Sequence, residues 1–204
     1  MLCKKDIMSY EIKEVNEILK KSNYIVYNEL IEKSIGSESN IYKILGDVNR
    51  SILQYLYSDS IVGGLGYYEL DNAFVIYDGC VIFDKKIISS QQINITDYNR
   101  HVLNHFLPNE FENCIEIDDV SIVLYGPGYL TWGHWLVDFF PRIFIIKQYG
   151  YNINSFKWIL PMDAPHYVDF FLEKIGIMKE NIIKFNHKNE YIKCKKVFIV
   201  KNFI

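Results

Sequence analysis

From Asp119 onward the sequence alternates short apolar runs with helical patterns, and this alternation narrows the fold more than any other feature. Residues 121–125 read as a strand, closed by Gly126-Pro127-Gly128. A helix is expected from about Thr131 to Tyr149, followed by a short apolar strand at residues 158–160. Asp163 is placed to cap the next helix, with Pro165 in its first turn and Gly176 just past its end. Residues 182–185 and 197–200 read as two more strands. Strand, helix, strand, helix, strand implies parallel pairing with right-handed crossovers. The expected class is α/β, Rossmann-like. With 204 residues and 50% hydrophobic composition the chain can build a sizeable core.

Upstream the patterns differ. Ile12, Val15, Ile18 and Leu19 recur at three and four, so residues 9–33 are expected to form an amphipathic helix with Ser9 as N-cap. Gly36 and the polar run to Asn40 would end it, and a second helix is expected over residues 41–57. Gly63, Gly64 and Gly66 mark a boundary, so residues 1–66 are expected to be a helical segment and residues 67–204 the main domain. Residues 74–77, 80–83 and 87–89 read as a small antiparallel meander, separated by Asp78-Gly79 and Asp84-Lys85-Lys86. Asp-Gly is a hairpin-turn signal.

A net charge of -3 argues against general nucleic-acid affinity. The charge is uneven. Residues 174–204 hold eight lysines against two glutamates, whereas residues 61–173 hold six basic and fourteen acidic side chains. The basic end reads as a solvated face, or as contact with an anionic membrane surface or substrate. Cysteines at 3, 80, 114 and 194 form no CxxC pair, which fits reduced thiols in a cytoplasm rather than zinc. The first twenty residues carry charges throughout, so no signal peptide is expected, and no apolar run reaches the ~20 residues that span a bilayer.

Residues 126–142 concentrate the chemistry: Gly-Pro-Gly-Tyr-Leu-Thr-Trp-Gly-His-Trp-Leu-Val-Asp-Phe-Phe-Pro-Arg. A Gly-rich loop after a strand and before a helix is where ligands gather in open α/β sheets. Neither GxGxxG nor Gly-Lys-Ser/Thr is present, which argues against dinucleotide and P-loop chemistry. His134, Asp138 and Arg142 are spaced by four and can share one broad helix face if the helix continues through Pro141. The rest of this helix is apolar nearly all round and is expected to be buried. The three polar residues then form a self-satisfied stripe, or they face a cleft. In the second case His134 is a candidate general base or a phosphate contact, Asp138 its orienting partner and Arg142 a structural or anionic contact. Gly126, Gly128, Tyr129, Trp132 and Trp135 are the candidate substrate contacts. An acyltransferase His-x-x-x-Asp reading lacks its following Gly and its second motif. A metal reading lacks a third ligand at suitable spacing, so no metal is expected. His101 and His105 read as a surface pair.

The run His134-Trp135-Leu136-x-Asp138-x-x-Pro141-Arg142 resembles the signature of family 61 glycosyltransferases, whose bacterial members are described as capsular polysaccharide biosynthesis proteins. The flanks are similar in order: Leu70-Asp71-Asn72-Ala73, Gly79-Cys80-Val81-Ile82-Phe83, Leu160-Pro161, Phe171-Leu172-x-x-x-Gly176-Ile177, Ile182-Ile183-Lys184-Phe185 and Val197-Phe198-Ile199-Val200. Thr131-Trp132-Gly133 departs from the aromatic residue that members carry just before the His.

The resemblance implies a GT-B-type architecture, of which this chain would be the amino-terminal, acceptor-side half, with the donor-binding second domain lacking. It implies inverting sugar transfer in capsule, exopolysaccharide or lipopolysaccharide synthesis, from a nucleotide-sugar co-substrate to a glycan acceptor, without a metal cofactor. The expected partners are that donor, that acceptor and a complementing carboxy-terminal domain, in the cytoplasm or at the inner face of the membrane. The alternative is a non-catalytic glycan-binding or scaffolding module.

Overall fold

The structure is a computed structural model that describes residues 2–14, 25–31, 34–35, 61–62, 65–89 and 103–201. Its centre is one mixed sheet of nine strands, ordered β1-β7-β6-β5-β11-β8-β9-β10 with β2 paired beside β5. The strands are β1 Glu11–Glu14, β2 Ile25–Ile31, β5 Leu65–Val75, β6 Val81–Phe83, β7 Lys86–Ser89, β8 Asn113–Val123, β9 Lys157–Pro161, β10 Ile182–Phe185 and β11 Glu190–Lys201. Two-residue strands β3 Ser34–Ile35 and β4 Ile61–Val62 pair separately. The expected α/β alternation holds: β8, β9 and β10 lie side by side and parallel, each joined to the next through a helix. The α/β class stands at this level. Among the described residues no helix is long and apolar enough to cross a membrane.

One expectation for the amino-terminal part is corrected. The helix expected over residues 9–33 is absent where the structure describes it. Ser9 ends a short helix, α1 Lys4–Ser9, and β1 and β2 come next as strands. The β-branched and aromatic start of β2, Ile25-Val26-Tyr27, outweighs the weak helical period because β5 offers a partner. The helix expected over residues 41–57 lies outside the described residues. The expected antiparallel meander is present as β5-β6-β7, and β11 joins it to the parallel strands by pairing antiparallel to β5 and parallel to β8.

Turn chemistry fixes the meander. Asp84 and Lys85 form a two-residue connection between Phe83 and Lys86, both with positive φ, 47° and 54°. That is the primed turn whose twist matches a hairpin. Asp78 and Gly79 also have positive φ, but the β5–β6 connection is longer than two residues. Burial alternates along β6 and β7. Val81, Phe83 and Ile88 enter the main core, whereas Ile82 and Ile87 enter a smaller core with Ile7, Leu103 and Leu107.

The three longest strands, β5, β8 and β11, bend at one line. Asn72 in β5 has φ 56°, and the β11–β8 register slips between Cys194 and Lys196, where β8 holds one extra residue. A bulge bends its strand, and Asn tolerates the left-handed region. Asn72, Asp118, Asp119 and Lys195, which stand at the bend, are exposed. Its consequence is long-range. In a flat sheet the rung of Phe198 and Ile122 lies about 20 Å from that of Ile192 and Val75, at ~3.3 Å per residue. Yet Tyr125 Oη donates to the Ile76 carbonyl at 3.4 Å, and a Cβ on Gly79 would meet the Tyr125 carbonyl oxygen at 2.6 Å. The bend folds the β5–β6 turn onto the carboxyl ends of the parallel strands.

Candidate functional site

Loops after β8, β9 and β10 converge where open parallel sheets place ligands. The first loop, from Gly126 to Thr131, leads into helix α2. This helix has three pieces: Trp132–His134, a π turn Trp135–Phe139, and Phe140–Gln148. Pro141 lacks an N–H and would crowd the preceding turn of a regular helix. The wider turn, with the Phe140 N–H reaching back to Trp135 O, accommodates it. The helix does continue through Pro141, as the shared-face reading required. The extra residue in the π turn, however, rotates the final piece of the helix about its axis. His134 is nearly half exposed, Asp138 is half-buried and Arg142 points inward. The three side chains therefore do not share one face.

His134 Nδ1 lies 2.5 Å from Asp138 Oδ2. The imidazole lies against Gly128, whose φ is 81°: a Cβ there would come within 2.5 Å of His134 Cδ2 and 2.6 Å of Nε2. Both the backbone angle and the close approach demand glycine. Arg142 is buried. Its Nη1 donates to Val123 O at 2.9 Å and Tyr125 O at 3.4 Å, and the guanidinium sits over Phe139. Burial lowers its pKa to about 10, and the charge of Asp138 opposes that shift. Arg142 clamps the end of β8 and presents no donor surface to a ligand.

Gly126 is buried and shapes the loop. Trp135 is fully buried, with its indole N–H on Tyr129 O, so it belongs to the core rather than to a substrate surface. Trp132 is 40% exposed and packs edge-on against Tyr167 and at a tilt on Phe171. The expected burial of the whole helix fails on one side, where Leu136, Val137 and Phe144 are about half exposed.

On the other side of the same loop lies a network that no local spacing in the sequence announces. Asp163 does not cap the next helix, α3 His166–Ile175, which starts after Pro165 without a side-chain cap; Gly176 does end it in a left-handed conformation. Instead Asp163 Oδ1 accepts from Tyr129 Oη at 2.9 Å, and Oδ2 accepts from Lys188 Nζ at 3.1 Å. His187, 1% exposed, accepts from the Asp78 N–H at Nδ1 (3.2 Å), so its proton sits on Nε2. Nε2 is 3.3 Å from Tyr129 Oη and 3.6 Å from Asp163 Oδ1. The ring stacks on Tyr77, which stacks in turn on the exposed Phe106.

Burial lowers the His187 pKa to about 4 against the opposing pull of Asp163, so the ring is neutral at pH 7. Burial raises Asp78 to about 6. It also raises the Tyr129 phenol, as does its bond to Asp163. For Asp163 itself burial pulls upward, but hydrogen bonds from Lys188 and Tyr129 outweigh it and leave the pKa lowered.

Tyr129, Asp163 and His187 each stand within a few residues of the end of a parallel strand. That position, rather than any local spacing, was the signal available in the sequence. Among the described residues no group of three or more His, Cys, Asp or Glu side chains could hold a metal ion. No family model matches the chain, and neither a curated protein nor a solved structure matches it.

Proposed function

We propose that this chain is the acceptor side of an inverting glycosyltransferase. In this reading the Rossmann-like run β8–α2–β9–α3–β10 is one half of a GT-B-type enzyme of family 61 character, acting in polysaccharide synthesis. The observation that carries it is His134: an exposed imidazole at the carboxyl end of a parallel strand, held at Nδ1 by Asp138 and laid on Gly128. A carboxylate at Nδ1 fixes the tautomer that leaves Nε2 as the acceptor. Nε2 then takes the proton of an acceptor hydroxyl as its oxygen attacks the anomeric carbon of a nucleotide sugar. The bond from that carbon to the diphosphate oxygen breaks on the opposite face, which inverts the centre. Trp132, two residues away and 40% exposed, offers an aromatic face to the apolar side of a sugar ring.

Oligosaccharides cut from capsular, exo- and lipopolysaccharides, titrated into the chain and followed by saturation-transfer NMR, test this reading. Binding that Trp132→Ala weakens at least about tenfold, with an unchanged cooperative melt, is the expected result. Absence of binding to the whole panel, or binding indifferent to both Trp132→Ala and His134→Gln, overturns it.

A further inference from the structure

We propose that Asp163 and Lys188 form a second polar subsite, which binds a pair of neighbouring hydroxyls on the acceptor sugar. The proposal rests on the acceptor-side reading above and names where that acceptor is gripped.

Asp163 is an unusual surface carboxylate. Its side chain is 43% exposed, yet it is backed by two buried groups, Tyr129 and His187. Tyr129 Oη donates to one oxygen and Lys188 Nζ to the other. Those two donors use two of the roughly four acceptor directions of an ionised carboxylate. The exposed edge of the group can accept further hydrogen bonds, and it is ionised because Lys188 and Tyr129 hold its proton affinity down.

Lys188 is 60% exposed and spends one of its three N–H donors on Asp163. The pair thus presents an acceptor and a donor side by side. A sugar diol needs both, since each hydroxyl gives one hydrogen bond and accepts others.

The frame behind the pair is stiff. His187 is clamped between the Asp78 N–H and Tyr129 Oη. Lys188 stands in a tight turn in which Asn186 O accepts from the Asn189 and Glu190 N–H groups, and Glu190 Oε2 accepts from the Asn186 N–H. Subsites held by buried supporting contacts lose little entropy on binding. The location also fits. Tyr129, which tethers Asp163, is the chain neighbour of Gly128, on which the His134 ring lies. Tyr167, four residues beyond Asp163, packs against Trp132 at 4.8 Å. The Gly126–Thr131 loop therefore touches the base and the polar pair, and α3 touches the aromatic face through Tyr167.

The test uses methyl glycosides of common hexoses and pentoses at millimolar concentration, read by saturation-transfer NMR on the unmodified chain, Asp163→Asn, Lys188→Met and Trp132→Ala. Asp163→Asn is expected to weaken binding at least about tenfold and Lys188→Met at least about threefold, because hydrogen bonds to charged groups are the strong ones. Lys188→Met leaves the Tyr129–Asp163 contact in place, so it decides the matter alone if Asp163→Asn fails to give a cooperative melt. Affinities of both variants within about twofold of the unmodified chain overturn the subsite. The acceptor-side reading survives that result if Trp132→Ala still loses binding. If the unmodified chain binds no glycoside, both ideas fall together.

Discussion

The two histidines that touch the Gly126–Thr131 loop are opposites. His134 is nearly half exposed, four residues from its carboxylate partner, and held on the rim by glycine contact. His187 is 1% exposed and bound by groups that come from three distant loops. The first arrangement is local and stabilises little. Exposed pairs at this spacing contribute roughly 0.2–1 kcal/mol. The second ties the β5–β6 turn, the Gly-rich loop and the β10–β11 turn together, and its ring fills core volume. Of the two, the rim histidine is open to solvent, as the proposed base must be, and the buried one holds the rim in place.

The largest effect that sharpens this contrast is on stability. His187→Ala leaves the Asp78 N–H without its acceptor, reduces Tyr129 Oη to its bond with Asp163, and opens a hole beside Tyr77 and Tyr125. We expect a loss of about 3 kcal/mol or more in urea unfolding, from cavity and unsatisfied-donor costs together. His134→Ala is expected to cost less than about 1 kcal/mol. Equal losses would break the comparison.

Next in size is a pH effect centred on the buried histidine. The folded His187 pKa, about 4, lies below the unfolded value of roughly 6.5. The unfolded chain therefore binds more protons between these values. The stabilisation from a neutral His187 is complete above about pH 6.5 and is lost as pH falls toward 4, by at most about 3 kcal/mol. Asp78 works in the opposite sense. Its folded pKa of about 6 lies above the unfolded value of roughly 3.9, so its contribution is full below about pH 3.9 and lost as pH rises through 6. The two slopes offset each other in the unmodified chain. Single variants should unmask them: the cost of His187→Gln shrinks on going from pH 7 to pH 4, while any gain from Asp78→Asn at pH 7 fades over the same range. Unfolding curves at both pH values check the signs.

A glycine substitution probes the rim side with a smaller loss. Gly128→Ala must hold φ 81° with a side chain whose Cβ would stand 2.5 Å from the His134 ring. We expect about 2 kcal/mol of destabilisation, and displacement of the His134 imidazole visible in its NMR shifts. Gly133→Ala serves as the control, because nothing lies within 4 Å of its added Cβ.

The same contrast explains which features were legible in the sequence. The His134–Asp138 contact was legible because a helix places residues four apart together. The parallel order β8, β9, β10 was legible because strand and helix patterns alternate, and Gly176 ended α3 where a left-handed residue was needed. The inward turn of Arg142 was not legible, since it depends on one extra residue in a π turn before Pro141. Nor was the His187 network. Its members are 34, 58 and 109 residues apart in their pairings, and they meet only because β5, β8 and β11 bend together at Asn72, Lys195 and the β8 bulge. The strands β1 and β2 escaped for a related reason: their partners, β7 and β5, lie far along the chain, and pairing decides strand against helix where local propensity is weak.

The smallest expected stability effect carries the sharpest chemical question. Asp138→Asn removes the charge beside His134 Nδ1 but keeps the side chain's shape, so unfolding free energy should shift by less than about 1 kcal/mol. An amide can accept from Nδ1–H or donate to a bare Nδ1, whereas a carboxylate only accepts. The unmodified chain should therefore hold its neutral His134 as the Nδ1–H tautomer, with Nε2 bare, and the variant should show both tautomers. Imidazole 15N shifts distinguish them directly. If the neutral ring of the unmodified chain instead carries its proton on Nε2, that nitrogen has nothing with which to take a hydroxyl proton. His134 could then bind a glycan but not activate it, and the rim histidine would differ from the buried one only in exposure.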